Sequence, residues 1–587
     1  MHPLRNLTAV RVDEPVERAE VLQQMRVEAA FHDVHEYAEW LVGVRLLPES
    51  APIPKRLLAA GLFVAQGEDR LSGPNCERLQ DAVTSGAHAR LAAVPGDLSF
   101  LSVRAGGDLF AIRSVSGLVP WYVVERPGRV VVASLLGEVQ RWAGVDLDLD
   151  PLVYAMWADG MQCFPDDRTP LATVRAVRRG NVLRLPGRGS SSQSPWWSAP
   201  PSPDRLPAAA EAAERVAALR VALLDEVERD LDPRGLNLLA VSGGVDSSCL
   251  TALAAGRYGA RVHAVTVQTY RDARDREYEA AYVRQLLDLV AVERHDVLDA
   301  AGERWLESLR EAPVTVVPVS HPILGSLQGL LGADTTVYMG GEMADEVVGS
   351  AHTVPEWARA HSPWWIVRHQ AAAPGGRRWV LQEWQRATTA RLRRRHPLPR
   401  SAYQRELSTI FQPEVRTGYR EWLDRTERLP RHSHPRSTTL DCIALDGFVA
   451  QNWEVASLLG VRRSMPFMSR AVMEIGLSCH PTELVGPGTK IILRRAMDGL
   501  VPAYNLARET KGTGRPGHDE VEATAFWSFG DTAPLGRVLR GDLPGTSRGL
   551  PLREASVAAI LEPAMQVWQS GQGETGGTAG DTSPLLP

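Results

Sequence analysis

Leu239-Ala-Val-Ser-Gly-Gly-Val-Asp-Ser-Ser248 is the stretch from which the rest of the chain can be read. An apolar run from Leu236 to Val241 has the length and composition of a buried strand, and it stops at Ser242-Gly243-Gly244. A helix is expected from Ser247 to Gly256. Strand, glycine loop and helix in that order aim the free N–H groups of the helix start at one point, where an anion can sit. The two glycines let a ligand come close to the backbone. Ser242, Ser247 and Ser248 add hydroxyl donors. Asp246 cannot hold a phosphate directly, because like charges repel, but it suits a magnesium ion beside phosphates. The G-x-x-x-x-G-K-[ST] spacing is absent, so this is not a Walker A loop.

Downstream, the strand-loop-helix rhythm continues. Val262–Val267 reads as a second strand, Glu277–Val290 as a helix and Thr335–Met339 as another buried strand. Such alternation means an α/β domain with a parallel sheet, whose ligands bind at the carboxyl ends of the strands. Tyr338-Met-Gly-Gly-Glu-Met-Ala-Asp-Glu-Val-Val-Gly349 follows the last of these strands. Asp345 there could supply a second carboxylate for magnesium, and Glu342 a base toward an amine. A third element is Lys490-Ile-Ile-Leu-Arg-Arg495, followed by Arg508-Glu-Thr-Lys-Gly512. The chain has three lysines among 65 basic residues, and two of them, Lys490 and Lys511, fall in this element. A compact ammonium can balance charge on a phosphate or a tetrahedral oxyanion. Residues 355–500 read as largely helical, rich in Arg and Trp.

Upstream the pattern is different. Leu98–Val103, Leu109–Ile112, Trp121–Val124, Val130–Ser134 and Val182–Leu185 are short β-rich runs between Gly and Pro turns. Gly187–Ser194 and Pro200–Pro203 are linker-like in composition, and a helix with Val216, Leu219, Leu223 and Val227 on one face follows. The expected plan is therefore a β-rich domain over 1–190, a linker over 191–206, the α/β domain over 207–570 and a disordered tail over 571–587. A net charge of -5 argues against bulk nucleic-acid binding. No run of about 20 apolar residues suggests a membrane span, and no secretory signal is evident. Five scattered cysteines fit a reducing cytoplasm, without disulfides or a zinc site. His432-Ser-His434 reads as loop, Arg391–His396 as a solvated helix face, and the pairs Trp364-Trp365 and Trp196-Trp197 as core or interface.

Taken together, these residues resemble the asparagine synthetase superfamily over roughly residues 95 to 515. Ser242–Ser248 is similar to that family's pyrophosphate loop, Gly340–Glu346 to its S-G-E-G-A-D-E, and Lys490, Arg494 and Lys511 to its K-x-x-x-R and downstream lysine. The resemblance implies ATP and Mg2+, with Asp246 and Asp345 on the metal, Glu342 as the amine-side base and Lys511 stabilising the intermediate. Val241, Val267, Gly340 and Gly341 would contact the adenine nucleotide, and Ser242, Gly243, Gly244, Ser247, Ser248, Lys490 and Arg494 would complete the ATP site. Arg113-Ser-Val-Ser-Gly-Leu-Val-Pro-Trp-Tyr122 is similar to the R-D-x-x-G-x-x-P-L-Y of a class II glutaminase. The implied fold is a degenerate, glutaminase-like α+β domain of the Ntn type, followed by an α/β pyrophosphate-loop synthetase domain with extra helices.

Departures from the pattern steer the functional reading. Residue 2 is His2 where the glutaminase nucleophile would be cysteine, and Ser114 replaces the Asp of R-D, so glutaminase activity is expected to be absent. The family's E-x-R-x-P-F-L-D appears as Arg462-Arg-Ser-Met-Pro-Phe-Met-Ser469. Aspartate is therefore not the expected substrate, and an internal amine is the simplest acceptor. The chain looks most like a lasso peptide cyclase, which closes a side-chain carboxylate of a precursor peptide on its N-terminal amine. That would imply a leader-binding protein and a leader peptidase as partners. The alternatives are a β-lactam synthetase, a branch that typically carries Tyr where Glu342 stands, an ammonia-dependent small-molecule amide ligase and a non-catalytic scaffold.

Overall fold

The computed structural model describes residues 4–27, 31, 33–46, 62–66, 78–79, 81–83, 85–94, 98–144, 150, 167–201, 207–268, 273–299, 330–332, 334–349, 413–418, 421, 447–458, 460–485 and 489–508. In the first part the elements are β1 (Leu4–Val12), α1 (Pro15–Val27), β2 (Asp33–Tyr37), β3 (Trp40–Leu46), β4 (Leu62–Gln66), β5 (Ser99–Val103), β6 (Leu109–Ile112), β7 (Tyr122–Arg126), β8 (Arg129–Ala133), α2 (Leu136–Trp142), β9 (Arg175–Ala176), β10 (Asn181–Leu185) and β11 (Ser192–Pro195). They form two antiparallel sheets, ordered β2-β3-β1-β8-β7-β9 and β11-β10-β6-β5-β4. Trp40, Phe100 and Trp121 are fully buried. The two indoles stay satisfied through Gly107 O (2.8 Å) and Ile112 O (2.9 Å), as buried N–H groups require.

Two features of this half differ from the sequence reading. β1 lies inside the first sheet, between β3 and β8, in a stretch whose charges hide its alternation. The tract read as linker contains β11, which pairs residue by residue with β10. An antiparallel edge strand is held by main-chain bonds and needs no apolar side chains, so Ser192-Gln-Ser-Pro195 can pair despite its composition. Trp196 then buries its ring and donates to Arg113 O at 3.0 Å.

The second part contains α3 (Ala209–Asp230), β12 (Leu236–Ala240), α4 (Val245–Thr251), β13 (Val262–Gln268), α5 (Ala273–Leu287), β14 (Arg294–Asp299), β15 (Thr335–Met339), α6 (Ala344–Val348), α7 (Gly447–Leu458), β16 (Arg462–Ser464), α8 (Arg470–Ser478), α9 (Pro481–Leu484), α10 (Ile491–Ala496) and α11 (Ala503–Leu506). α4 runs on into a π-helical turn over Ala252–Arg257. On α3 the predicted stripe is buried at Leu219, Leu223 and Val227. The strands form one sheet, β14-β13-β12-β15-β16, parallel throughout. Leu238, Leu239, Val337 and Met339 at its centre are buried, as expected for strands covered on both faces.

This strand order reverses between β12 and β15. Loops leaving the carboxyl ends of those two strands diverge to opposite faces and open a crevice, the usual ligand position in such sheets. β12 leads into Ser242–Gly244 and β15 into Gly340–Met343. The two halves of the chain meet through Trp197 Nε1 to Glu474 (2.9 Å), Arg470 to Val94 O (2.9 Å) and Leu136 N to Glu454 (3.1 Å). Among the described residues no helix is long and apolar enough to cross a membrane.

Candidate active site

A cavity of about 400 Å³ occupies the crevice. Val267 lines it from β13, and Val241, Ser242, Gly244, Asp246 and Ser247 from the loop and helix start after β12. Gly341, Glu342 and Asp345 line it from the segment after β15, and Lys490 and Arg494 from the start and the body of α10.

The first loop is shaped by its own backbone. Gly243 takes φ +66, where a side chain would be strained, and a Cβ there would come within 2.7 Å of Tyr282 Cβ. Ser242 and Ser247 are tied to each other, with Ser242 N donating to Ser247 Oγ at 3.1 Å. Ser248 points away from the cavity. It is buried, and its hydroxyl accepts from Asn505 Nδ2 at 3.2 Å, so its role in this structure is to hold α11 against α4. Gly341 is the point of closest approach between the loops, since a Cβ there would lie 3.0 Å from Asp246 Cβ and 3.2 Å from Ser247 N.

Asp246, in the first turn of α4, and Asp345, in the first turn of α6, converge on one ammonium. Lys490 Nζ pairs with Asp246 and, at 2.9 Å, with Asp345. The lysine is delivered from the N-cap of α10 in a left-handed conformation, φ +59. Burial works against its charge, but the two carboxylates outweigh that and hold the ammonium above the usual lysine value. Arg494 spends its visible bonds on the backbone, on Thr489 O (2.8 Å), Leu506 O and Arg508 O (2.7 Å), and so also ties down the segment that carries Arg508.

Glu342 meets Arg463, whose guanidinium is fully buried, at 2.7 Å. Gly340 is absent from the cavity wall, and its lack of a side chain serves this pair. A Cβ there would fall 2.0 Å from Glu342 Oε2 and 2.7 Å from Arg463 Nη2. Tyr338 packs under Arg463 at 4.1 Å from its ring centroid, and burial pushes its phenol up to about 12.

Two site residues had no reading in the sequence. Arg463 sits at a position the motif leaves open, and only the parallel register Tyr338↔Arg463 brings it to Glu342. Arg508 lines the cavity, donates to Ser242 O at 3.1 Å and lies over the Tyr282 ring at 4.7 Å. Its place three residues before Lys511 was the available signal. Lys511 lies outside the described residues, as do His432, His434, the 391–396 run, Trp364 and Trp365.

The donors fit a divalent cation held jointly with phosphates. Two hard carboxylate oxygen sources already gather around a positive charge, that of Lys490. Among the described residues no third His, Cys, Asp or Glu joins them. Magnesium is commonly bound this way, through one or two carboxylates, with substrate phosphates and water completing its shell.

A family model described as "Asparagine synthase" matches residues 218–527, more than half of the chain. The chain belongs to the asparagine synthase family. It is accordingly an ATP-dependent carbon–nitrogen ligase, and the crevice between β12 and β15 lies within the matched segment. A search of curated proteins returns no match. Among solved structures, a glutamine phosphoribosylpyrophosphate amidotransferase from B. subtilis, complexed with ADP and GMP, is 10% identical, covering 50% of this chain and 80% of its own at a TM-score of 0.22. An NMN synthetase from Francisella tularensis is 17% identical, covering 23% and 57% at 0.17. The allosteric regulatory enzyme of purine biosynthesis is 12% identical, covering 50% and 75% at 0.20. At such scores these likenesses add nothing to the fold or ligands of the asparagine synthase-family chain.

Proposed function

We propose that this ligase activates a carboxylate as its acyl-adenylate, releasing pyrophosphate, and closes it on an internal amine as the macrolactam of a lasso precursor peptide, with release of AMP. The observation that carries this reading is the fate of the substrate motif. Where the family pattern has Glu, Arg and Asp, this chain has Arg462, Ser464 and Ser469. Arg462 and Ser464 both turn onto Asp230, the latter at 2.6 Å, and Ser469 caps α8. Charges that would read a free amino acid are thus replaced by structural contacts, while the nucleotide side of the cavity keeps its set. Ser114, in place of the glutaminase Asp, is taken up by Gly117 N at 3.1 Å and Ser116 at 3.0 Å, which favours an amine other than glutamine-derived ammonia.

In this reading Ser242, Gly244 and Ser247 cradle the pyrophosphate, and Lys490 balances its charge. Asp246 and Asp345 would hold magnesium, which when bound neutralises charge on the phosphates. Glu342 takes the proton from the attacking amine, and confinement of both peptide groups in one cavity supplies much of the rate. The enzyme would work in the cytoplasm with a leader-binding protein and a leader peptidase.

The test is a mass spectrum of a linear core peptide after incubation with protein, ATP and Mg2+, beside Asp246→Ala. Loss of one water that requires ATP and Asp246, with AMP formed, supports ring closure. An unchanged peptide, with AMP forming on small amino acids instead, refutes it in favour of a small-molecule amide ligase.

A further inference from the structure

We infer that Arg463 is the positioning residue that aims Glu342 at the acceptor amine. The proposal rests on the reading of Glu342 as the amine-side base. Four observations bear on it. The Arg463 side chain is fully covered, so it cannot itself meet substrate, yet its Nη2 lies 2.7 Å from Glu342 Oε2, an ion pair whose two atoms are buried and held by charge rather than by an aligned hydrogen bond. Its other contacts fix it from behind, since Nη1 donates to Tyr338 O (3.0 Å) and Ser464 O (2.9 Å) and the guanidinium lies over the Tyr338 ring. Gly340 leaves the space in which the pair forms. Glu342 itself stays on the cavity wall, with about a quarter of its side chain exposed (24%).

The arrangement divides the work of one carboxylate. Oε2 is occupied by the buried guanidinium, leaving Oε1 as the oxygen for the incoming amine. A guanidinium fixed by two carbonyls and an aromatic face holds its charge at one point, and that charge draws Glu342 Oε2 to a fixed place as a flexible ammonium would not. The amine attacks the acyl carbon, its proton passes to Glu342 Oε1, and AMP leaves with the bond electrons. The adenylation step, in which the substrate carboxylate attacks the α phosphorus, makes no use of Arg463.

The experiment compares wild type, Arg463→Met and Arg463→Lys in two partial reactions with a linear core peptide. These are peptide-dependent ATP–pyrophosphate exchange and amide formation, the latter also with hydroxylamine as nucleophile. Hydroxylamine is uncharged at neutral pH and can lose its proton to water after attacking, so it depends far less on a base in the site. Amide formation should fall at least tenfold in Arg463→Met while exchange falls far less, hydroxamate should still form, and Arg463→Lys should recover part of the loss. Parallel loss of exchange, amide and hydroxamate would show a merely structural role and overturn the proposal. A thermal-melting cycle of Arg463→Met, Glu342→Gln and the double variant judges the pair without any substrate. Shifts that add independently overturn the proposal even if the peptide reading has failed, whereas a wild type inert toward peptide but coupled in melting refutes only the macrolactam reading.

Discussion

Lys490→Met leaves Asp246 and Asp345 facing each other without the ammonium that now lies between them. The lysine side chain is 7% exposed, Asp246 18% and Asp345 42%. Removing one partner of a buried ion pair costs about 3–5 kcal/mol. With Asp345 well into solvent, part of that is screened, and about 2–3 kcal/mol is the reasonable loss. For a synthetase part of this size that is a fall of roughly 3–5 °C in melting temperature. Free Mg2+ should then act differently on the two proteins. In wild type it competes with a tethered cation, whereas in the variant it fills the gap. At ten times its Kd it would return about 1.4 kcal/mol. The assay is nucleotide-free thermal melting of both proteins across a Mg2+ titration. The pH dependence has a definite sign. The Lys490 value is raised in the folded state, so its contribution is complete below the ordinary 10.5 and is lost as pH climbs through the folded value. The difference between the two proteins should be flat from neutral pH to about 9 and shrink only above 10.5. Identical responses to Mg2+, or an unchanged melting temperature, would refute the placement of Lys490 as the counter-cation of the two carboxylates.

Other outcomes follow from single contacts. Gly340→Ala drives a Cβ into the Glu342–Arg463 pair, and amide formation should fall at least tenfold in a peptide assay while the protein stays folded by circular dichroism. Cys249 is fully buried in α4, and burial pushes its thiol far up, so iodoacetamide should leave it unlabelled until denaturant is added. Glu454 is buried against the start of α2, accepting from Leu136 N. Glu454→Ala should therefore cost about 1–3 kcal/mol in chemical denaturation, because that N–H is left buried without its partner.

How much of this could be read in the chain depended on whether the signal was local. Leu236–Val241 followed by Ser-Gly-Gly declared its strand, its loop and the helix start that follows, because an apolar run, two glycines and a helix start are features of adjacent residues. Thr335–Met339 and Leu109–Ile112 were read with the bounds they have in the structure, for the same reason. Where the signal was main-chain pairing with a distant strand, composition misled. β11 sits in a Ser-rich tract and β1 in a charged one, and both are defined by their partners rather than by their side chains. Ser248 had the right residue type for a phosphate donor, yet Asn505, far along the chain, turns it inward.

What the sequence determined alone is the chemistry at the ends of β12 and β15: the glycines, the carboxylates at Asp246, Asp345 and Glu342, and the lysine kept at 490. What only the tertiary structure decided is who faces whom. Lys490 closing on two aspartates and Arg463 on Glu342 both depend on strand order and register, β15 lying between β12 and β16. A parallel sheet brings together the carboxyl ends of strands that are remote in the chain, and no local pattern of residues encodes which of those ends become neighbours.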